Sequence, residues 1–238
     1  MTGLYRIAET NIEIVSLHAQ VQDLCRDYRT EGAPELRVRV AAADIARERT
    51  MDGAAGYSDA YLETLAVYRQ IAEAMPARGG LLLHGSALEV DGLGYLFTAP
   101  SGTGKSTHAR LWRELLGARV RMINDDKPLL RLGPEGVTVY GTPWNGKHRL
   151  GENIAAPLRA VCLLEQAAEN VIAPLSGAEV WPLLLAQVYR PADPAALRRT
   201  LELLDGLCAR LRFYRLGCNM APEAARLAYE TMSKEETP

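Results

Sequence analysis

The chain has 238 residues, and its 27 basic and 29 acidic side chains give a net charge of −2. Hydrophobic residues make up 48% of the chain, which excludes a disordered protein, and the balanced charge argues against nucleic acid as a partner. The sequence contains neither an apolar run long enough to span a membrane nor a signal peptide, so we expect a cytoplasmic protein without a membrane partner. The cysteines form no close pair, which predicts four thiols rather than a zinc site or disulfides: Cys25, Cys162, Cys208 and Cys218.

The first third of the chain predicts a small α/β unit. Polar and apolar residues alternate in three segments, which predicts strands over residues 3–8, 11–17 and 36–40. Apolar residues at helical spacing predict a helix over 21–28, and Asp44 is predicted to cap a short helix. Ser58 is a good N-cap for a longer amphipathic helix, which Pro76 ends. We therefore predict an N-terminal α/β appendage over residues 1–79.

The remaining residues, 80–238, predict a strand-rich core that helices close on the C-terminal side. The dipeptide Asp91-Gly92 between two apolar runs indicates a β-hairpin. Strands are predicted over residues 81–84, 87–90, 94–98, 120–123, 129–132, 137–140 and 158–164, with an edge strand over 213–216. A loop followed by a helix is predicted over residues 101–116, another helix begins after Asp193, and a final one is predicted over 222–232. A flexible break over 53–56 and a frayed polar tail over 233–238 complete the expected organisation.

The strongest chemical signal is the segment 99–107, which reads Ala-Pro-Ser-Gly-Thr-Gly-Lys-Ser-Thr. It follows a predicted strand and opens a predicted helix, which is the context of a phosphate-binding P-loop. The two glycines let successive N–H groups turn toward phosphate oxygens, while Lys105 supplies a cation and Ser106 a hydroxyl for Mg²⁺. The alternative is a glycine-rich turn with a chance lysine. The predicted nucleotide-binding residues are Ser101, Gly102, Thr103, Gly104, Lys105, Ser106 and Thr107.

A second signal, Asn124-Asp125-Asp126, follows the strand predicted over 120–123. An acidic residue at a strand end beside a P-loop usually holds Mg²⁺. With two adjacent carboxylates, one can bind the metal while the other accepts a proton from an attacking hydroxyl, and their repulsion raises one pKa. The alternative is a solvated Asp-Asp turn.

Two further segments carry weaker signals. His84 ends a buried run, where it can orient a phosphate or tune a carboxylate, or else play a hydrogen-bonded structural part. The loop 140–149 contains Lys147, a candidate cation for transition-state charge, and Trp144, which lines a pocket or packs into the core. Three other polar segments are interpreted as structural: 165–170, 187–191 and 219–220. The single histidines His18 and His108 have no predicted partner.

The order of these features resembles the catalytic domain of HPr kinase/phosphorylase: His84-Gly85, the hairpin, the P-loop and then the paired aspartates. The resemblance covers roughly residues 81–165, about a third of the chain. It implies an α/β fold with a mixed sheet and a P-loop core like that of phosphoenolpyruvate carboxykinase and HPr kinase. Residues 1–80 and 175–238 match neither the N-terminal domain nor the docking helix of HPr kinase, so HPr itself is not the expected substrate.

The same resemblance implies a role for each matched residue. Lys105 and the loop backbone would hold the β- and γ-phosphates of ATP, and Ser106 would ligate Mg²⁺ with help from Asp126. Asp125 matches the base that acts on a serine hydroxyl, and His84 matches the active-site histidine. Lys147 lies in a loop that loosely resembles the basic loop of the family, although the residues differ.

The function expected from these features is an ATP-dependent, Mg²⁺-requiring kinase of the short bacterial type. It would transfer the γ-phosphoryl group to a hydroxyl, by resemblance a serine of a peptide or protein, or to a small molecule. Some short members of the group act as tailoring kinases on ribosomally made peptides. HPr kinases are hexamers, so the resemblance allows a homo-oligomer. One alternative is a non-catalytic nucleotide-sensing module that acts through a protein partner. Another is phosphorolysis, the reverse activity.

Overall fold

The computed structural model describes residues 1–54 and 56–234, so Ala55 of the predicted break and residues 235–238 of the predicted tail lie outside the described residues. The protein is a mixed α/β structure. Its strands are β1 (Thr2–Ile7), β2 (Thr10–Val15), β3 (Leu36–Arg39), β4 (Gly80–Leu82), β5 (Gly85–Val90), β6 (Leu93–Thr98), β7 (Val120–Asn124), β8 (Leu129–Gly133), β9 (Gly136–Tyr140), β10 (Ala155–Gln166), β11 (Val171–Leu175) and β12 (Arg212–Cys218). Its helices are α1 (Gln20–Leu24), α2 (Ala42–Arg49), α3 (Asp59–Ala74), α4 (Lys105–Leu116), α5 (Gly177–Leu185), α6 (Pro194–Arg210) and α7 (Pro222–Met232). None of these helices is both long and apolar enough to cross a lipid bilayer.

Three of the described strands form a sheet in the N-terminal part, in the order β1-β2-β3. β1 and β2 are antiparallel, whereas β3 runs parallel to β2. Alternate side chains of the first two strands, among them Tyr5, Ile7, Ile12 and Ile14, are almost fully buried and pack with Leu62 of α3. Because burying such a side chain contributes about 1.5–3 kcal/mol, the period-two pattern fixes which face of the sheet meets the helix.

The larger sheet contains nine of the described strands and is centred on β10. The start of β10 pairs antiparallel with β9, and its later residues pair parallel with β6 on one side and β12 on the other. The path of neighbours is β4-β8-β9-β10-β6-β5-β7, with β11 beside β12. Asp91 and Gly92 join β5 to β6 with φ values of 51° and 86°, as a two-residue hairpin turn requires. Since β6 and β10 are parallel, their carboxyl ends meet at one edge of the sheet.

Helices cover both faces of this sheet. On one face α4 and α7 pack around Trp112, which is fully buried, with its ring centroid 5.1 Å from that of Phe97. On the other face α5 and α6 bury Leu184 and Leu204. Because helices cover both faces, the central part of β10, residues 161–164, is a continuous apolar run rather than an alternating one.

The N-terminal part shares a core with the larger sheet. Leu82 of β4, Leu129 of β8 and Trp144 belong to the same buried cluster as the N-terminal residues. The Trp144 side chain is buried, and its Nε1 donates to the carbonyl oxygen of Thr64 in α3 at 2.8 Å. The core-packing interpretation of Trp144 is therefore the one that the structure shows. A domain boundary near residue 79 stays a prediction.

Several predicted local features are wrong. The strand at 213–216 is not an edge strand, because the unpredicted β11 pairs along the outer side of β12. Ala41, not Asp44, is the N-cap residue of α2; Asp44 lies in the first turn and contributes a capping contact, because its carboxylate accepts the N–H of Ala41 at 2.8 Å. The two single histidines have partners after all: His18 Nδ1 lies 3.0 Å from buried Glu63, and His108 Nε2 accepts an indole N–H at 3.1 Å.

We expect Trp144→Phe to lower the free energy of unfolding by about 1–3 kcal/mol, because the buried hydrogen bond from the indole to the Thr64 carbonyl is lost. Equilibrium urea unfolding measures this change. Trp181→Phe is the matched control, since the Trp181 indole donates to the exposed side chain of Asp205 and its loss costs less than about 1 kcal/mol. Equal losses of unfolding free energy in the two variants would contradict a structural link between α3 and the larger sheet through Trp144.

Candidate functional site

The chain passes from β6 into α4 through a tight turn over residues 99–104. Gly102 and Gly104 have φ values of 81° and 121°, in the region that favours glycine. A Cβ at either position would meet no atom within 4 Å, so glycine is needed for the conformation of the backbone and not for space. Gly104 precedes the helix without a side-chain cap in the described chain, so the first N–H groups of α4 can bind an anion.

Lys105, the first residue of α4, folds back over this turn. Its Nζ donates to the carbonyl oxygens of Ala99 at 2.8 Å and Pro100 at 3.1 Å, and the side chain is only 7% exposed. Burial lowers the pKa of this ammonium, and the nearby Asp126 carboxylate opposes that effect. A buried cation whose partners are neutral carbonyls favours the arrival of an anion.

Asn124, at the end of β7, builds the turn that carries both aspartates. Its Oδ1 accepts the N–H groups of Asp126 at 2.9 Å and Lys127 at 2.6 Å. Its Nδ2 donates to the carbonyl oxygens of Thr142 at 3.1 Å and Trp144 at 3.3 Å. The side chain is completely buried, so these bonds connect the acidic turn to the loop after β9. The sequence analysis assigned no role to Asn124, although an Asn that precedes two acids at a strand end is the signal of such a turn.

Asp125 lies beneath the loop that follows Trp144. It is 5% exposed, and its Oδ1 accepts the N–H of Gly146 at 2.6 Å. A Cβ at Gly146 would lie 2.9 Å from Asp125 Oδ2, so only glycine fits over this carboxylate. Lys147 follows directly and is exposed, as are His148 and Arg149. The structure therefore brings the loop of Lys147 to Asp125 through backbone contact, with the Lys147 side chain directed to solvent.

Asp126 forms a second group with His84 and Lys127. His84 Nε2 lies 3.5 Å from Asp126 Oδ1, and Lys127 Nζ donates to Asp126 Oδ2 at 2.5 Å. His84 Nδ1 lies 3.3 Å from Gln187 Oε1, beyond the end of α5. Burial lowers the pKa of His84, and the charge of Lys105 lowers it further. The two aspartates thus face different neighbours, although they are adjacent in the chain.

A cavity of about 640 Å³ opens beside the P-loop turn. Its walls come from the end of β6 and most of that turn, the carboxyl end of β10 and the end of α5: residues 98–103, 163–166, 182–183 and 186–187. Glu165, Gln166 and Gln187 were interpreted as turn or packing residues, yet they line this cavity. The available signal was their place after a strand parallel to β6, because ligands of α/β sheets bind at the carboxyl ends of parallel strands.

These residues fit a Mg²⁺–nucleotide. Among the described residues, no cluster of three or more His, Cys, Asp or Glu side chains forms a protein-only metal site. Mg²⁺ usually takes one or two carboxylates together with substrate phosphates, and Asp125, Asp126 and the exposed Ser106 are the donors available beside the turn. The glycine conformations and Lys105 supply the phosphate-binding half of such a site.

Similarity to known proteins is weak. No family model matches the chain, and no curated protein matches it. Among solved structures, a similar chain is the Hpr(Ser) kinase/phosphatase from Coxiella burnetii, with 10% sequence identity and a TM-score of 0.36 over 64% of this chain and 99% of that chain. A likeness at this TM-score carries no argument about the fold or activity of this protein.

We expect the pKa of the His84 imidazole to lie below the ordinary value for histidine, because burial and the charge of Lys105 both disfavour its protonated form. Lys105→Met removes that charge and should raise the pKa of His84. Lys127→Met removes a smaller contribution and should raise it less. NMR titration of the His84 Cε1–H signal, assigned with His84→Gln, measures the pKa of His84 in the wild-type protein and in both variants. A His84 pKa that is indifferent to Lys105 would place the ammonium away from the imidazole.

Proposed function

We propose that the protein is an ATP-dependent kinase that transfers the γ-phosphoryl group to a hydroxyl. The observation that carries the proposal is a glycine-shaped turn whose lysine is influenced by Asp126, on a turn that also carries Asp125. Burial and the charge of Asp126 both act on the pKa of Lys105, so the phosphate side and the acid side belong to one electrostatic group. That is the set of parts that phosphoryl transfer needs, because its catalysis is mainly positioning and charge neutralisation.

Binding would use the backbone of residues 101–107 for the phosphate oxygens. Lys105 would leave its two carbonyl partners for the outer phosphates, which relieves the cost of burying an ammonium on neutral acceptors. Mg²⁺, when bound with the nucleotide, neutralises phosphate charge, and Ser106 and Asp126 would hold it. Lys147 would neutralise charge on the transferred group after a movement of its loop.

In the transfer itself, the acceptor oxygen forms a new bond to the γ-phosphorus as the bond to the bridging β–γ oxygen breaks. The hydroxyl proton passes to a carboxylate, and ADP leaves with the bond electrons on its terminal oxygen. Asp125 is the proposed base: Gly146 holds one of its oxygens, which leaves the other to accept the proton. His84 would orient Asp126 or the acceptor from the other side.

If Asp125 is the base, Asp125→Asn should lower kcat by about 10²–10⁴-fold and leave the affinity for ATP nearly unchanged. Asp126→Asn should instead weaken the dependence of ATP binding on Mg²⁺. Steady-state kinetics and calorimetric titration with ATP separate the two effects. Near-normal turnover in Asp125→Asn would remove Asp125 from the role of base.

Gly146→Ala tests the geometry of that carboxylate without changing any charge. A methyl group at this position must displace the Asp125 side chain, and a shift of about 1 Å can cost on the order of 10²-fold in rate. Gly133→Ala is the matched control, because a Cβ there would meet its nearest atom at 3.8 Å. Equal turnover in the two variants would show that the contact between Gly146 and Asp125 has no part in catalysis.

The overall proposal is tested by incubating the protein with γ-labelled ATP, Mg²⁺ and a clarified lysate of its source, with Lys105→Ala beside it. A labelled protein, peptide or small molecule that requires Lys105 establishes the kinase and identifies the acceptor. Tight ATP binding without transfer or hydrolysis favours the nucleotide-sensing module, which needs no base. Release of free acceptor and pyrophosphate from phosphorylated acceptor and inorganic phosphate supports the reverse activity.

A cytoplasmic location, a bacterial origin and assembly into a homo-oligomer belong to the same proposal. The four cysteines are unpaired, as expected for a reducing compartment. The partner would be the phosphoryl acceptor, which is a peptide, a protein or a small molecule. We propose no binding to nucleic acid or to a membrane. Size-exclusion chromatography with light scattering measures the oligomeric state directly.

A further inference from the structure

The cavity beside the P-loop turn shares residues 101–103 with the proposed phosphate-binding backbone, but its walls from β10 and α5 have no part in the steps described above. We propose that it receives an uncharged, largely apolar part of the phosphoryl acceptor, next to the hydroxyl that is phosphorylated. The proposal rests on the proposed kinase function and narrows its substrate class. It concerns an acceptor that is a flexible peptide or a small alcohol rather than the flat surface of a folded protein.

The position of the cavity connects it to the acid side of the site. The P-loop contributes residues 98–103 to its walls, and residues 104–107, where α4 begins, do not line it. Gln187 also lines the cavity, and its Oε1 lies 3.3 Å from His84 Nδ1. His84 Nε2 in turn lies 3.5 Å from Asp126 Oδ1. A group bound in the cavity would therefore lie on the side of the site from which His84 reaches Asp126.

The chemistry of the walls defines what can bind. Leu163, Pro182, Leu183 and Ala186 supply apolar surface, and no Lys, Arg or His is present among the lining residues. The acid among them, Glu165, is paired with Arg215 at 3.3 Å. An anionic group of an acceptor would find no counter-charge there, whereas an apolar group would be buried favourably.

The size and shape of the cavity agree with this class of ligand. Its volume of about 640 Å³ lies within the ~300–1,000 Å³ of small-molecule sites, enough for one or two apolar side chains. Such a volume fits a group that projects from a flexible chain or from a small molecule. The hydroxyl would then lie between the cavity and the acid pair.

The first test uses short synthetic peptides that differ only beside a central serine, Gly-Gly-Xaa-Ser-Gly-Gly and Gly-Gly-Ser-Xaa-Gly-Gly with Xaa as Leu, Asp or Lys, together with N-acetylleucinol as a free alcohol. We expect a KM about 10- to 100-fold lower with Leu than with Asp or Lys. Transfer to the alcohol alone would identify a small-molecule acceptor. Equal use of all peptides, or preference for a charged neighbour, overturns the proposal.

The second test fills the cavity. Ala186→Phe places a ring inside it, and Ala178→Phe places the same ring on the exposed first turn of α5, away from it. We expect Ala186→Phe to raise the KM of the Leu peptide or of the alcohol about 10- to 100-fold, with unchanged ATP affinity, and Ala178→Phe to act as wild type. An unchanged acceptor KM in Ala186→Phe rejects the cavity as the acceptor site.

Calorimetric titration with ATP separates failure of this proposal from failure of the kinase function. A loss of ATP affinity in Ala186→Phe with wild-type acceptor use would assign the cavity to the nucleotide and overturn the proposal. ATP binding without transfer to any of these probes also rejects it, while the lysate experiment still tests the kinase. A wild-type protein that binds no ATP refutes the proposed function itself.

Discussion

The completely buried amide of Asn124 is the interaction on which the arrangement of the candidate site depends. Both of its polar atoms bond to backbone groups, in the acidic turn on one side and in the loop of Trp144 on the other. An unsatisfied buried amide would cost about 1–3 kcal/mol, so the turn and the loop are held in one arrangement. Trp144 continues the connection to α3 through Thr64. The N-terminal part is thus linked by hydrogen bonds, through Trp144, to the turn that carries the two aspartates.

The charges at the site favour an anion. Lys105 is nearly buried and donates to two carbonyl oxygens, and burial lowers its pKa. A buried ammonium with only neutral partners is stabilised by an anionic ligand. Asp126 is shared between Lys127 and the half-buried His84. A bound phosphate would satisfy Lys105 and leave Asp126 for a metal. The cavity next to this group has no basic side chain among its lining residues, so the proposed acceptor recognition would use apolar contacts rather than phosphate charge.

Much of the site could be predicted from the sequence because its signals are local. The P-loop glycines and lysine, the Asp-Gly hairpin and the paired aspartates are each read within fewer than ten neighbouring residues, and the structure has the expected strand, turn and helix around the P-loop motif. The mixed α/β architecture could be predicted from the alternating and helical spacing of apolar residues along the chain. The roles of the individual site residues remain predictions.

The features that were missed depend on contacts between distant segments. β11 is largely exposed and has no clear alternation, so its pairing with β12 became visible only in the folded chain. The placement of Gln187 beside His84 joins residues 103 positions apart. The pairing of Glu63 with His18 and the bonds of Asn124 to Thr142 are likewise long-range. Local periodicity carries no information about such pairs.

The most direct test of the central claim is calorimetric titration of Mg²⁺–ATP into the wild-type protein and into Lys105→Ala. The account predicts that wild type binds ATP and that the variant loses about 10- to 100-fold in affinity, since a charge-assisted bond to phosphate contributes about 1.5–3 kcal/mol. Equal affinity in the two proteins, or no binding by wild type, would contradict a phosphate site at this turn.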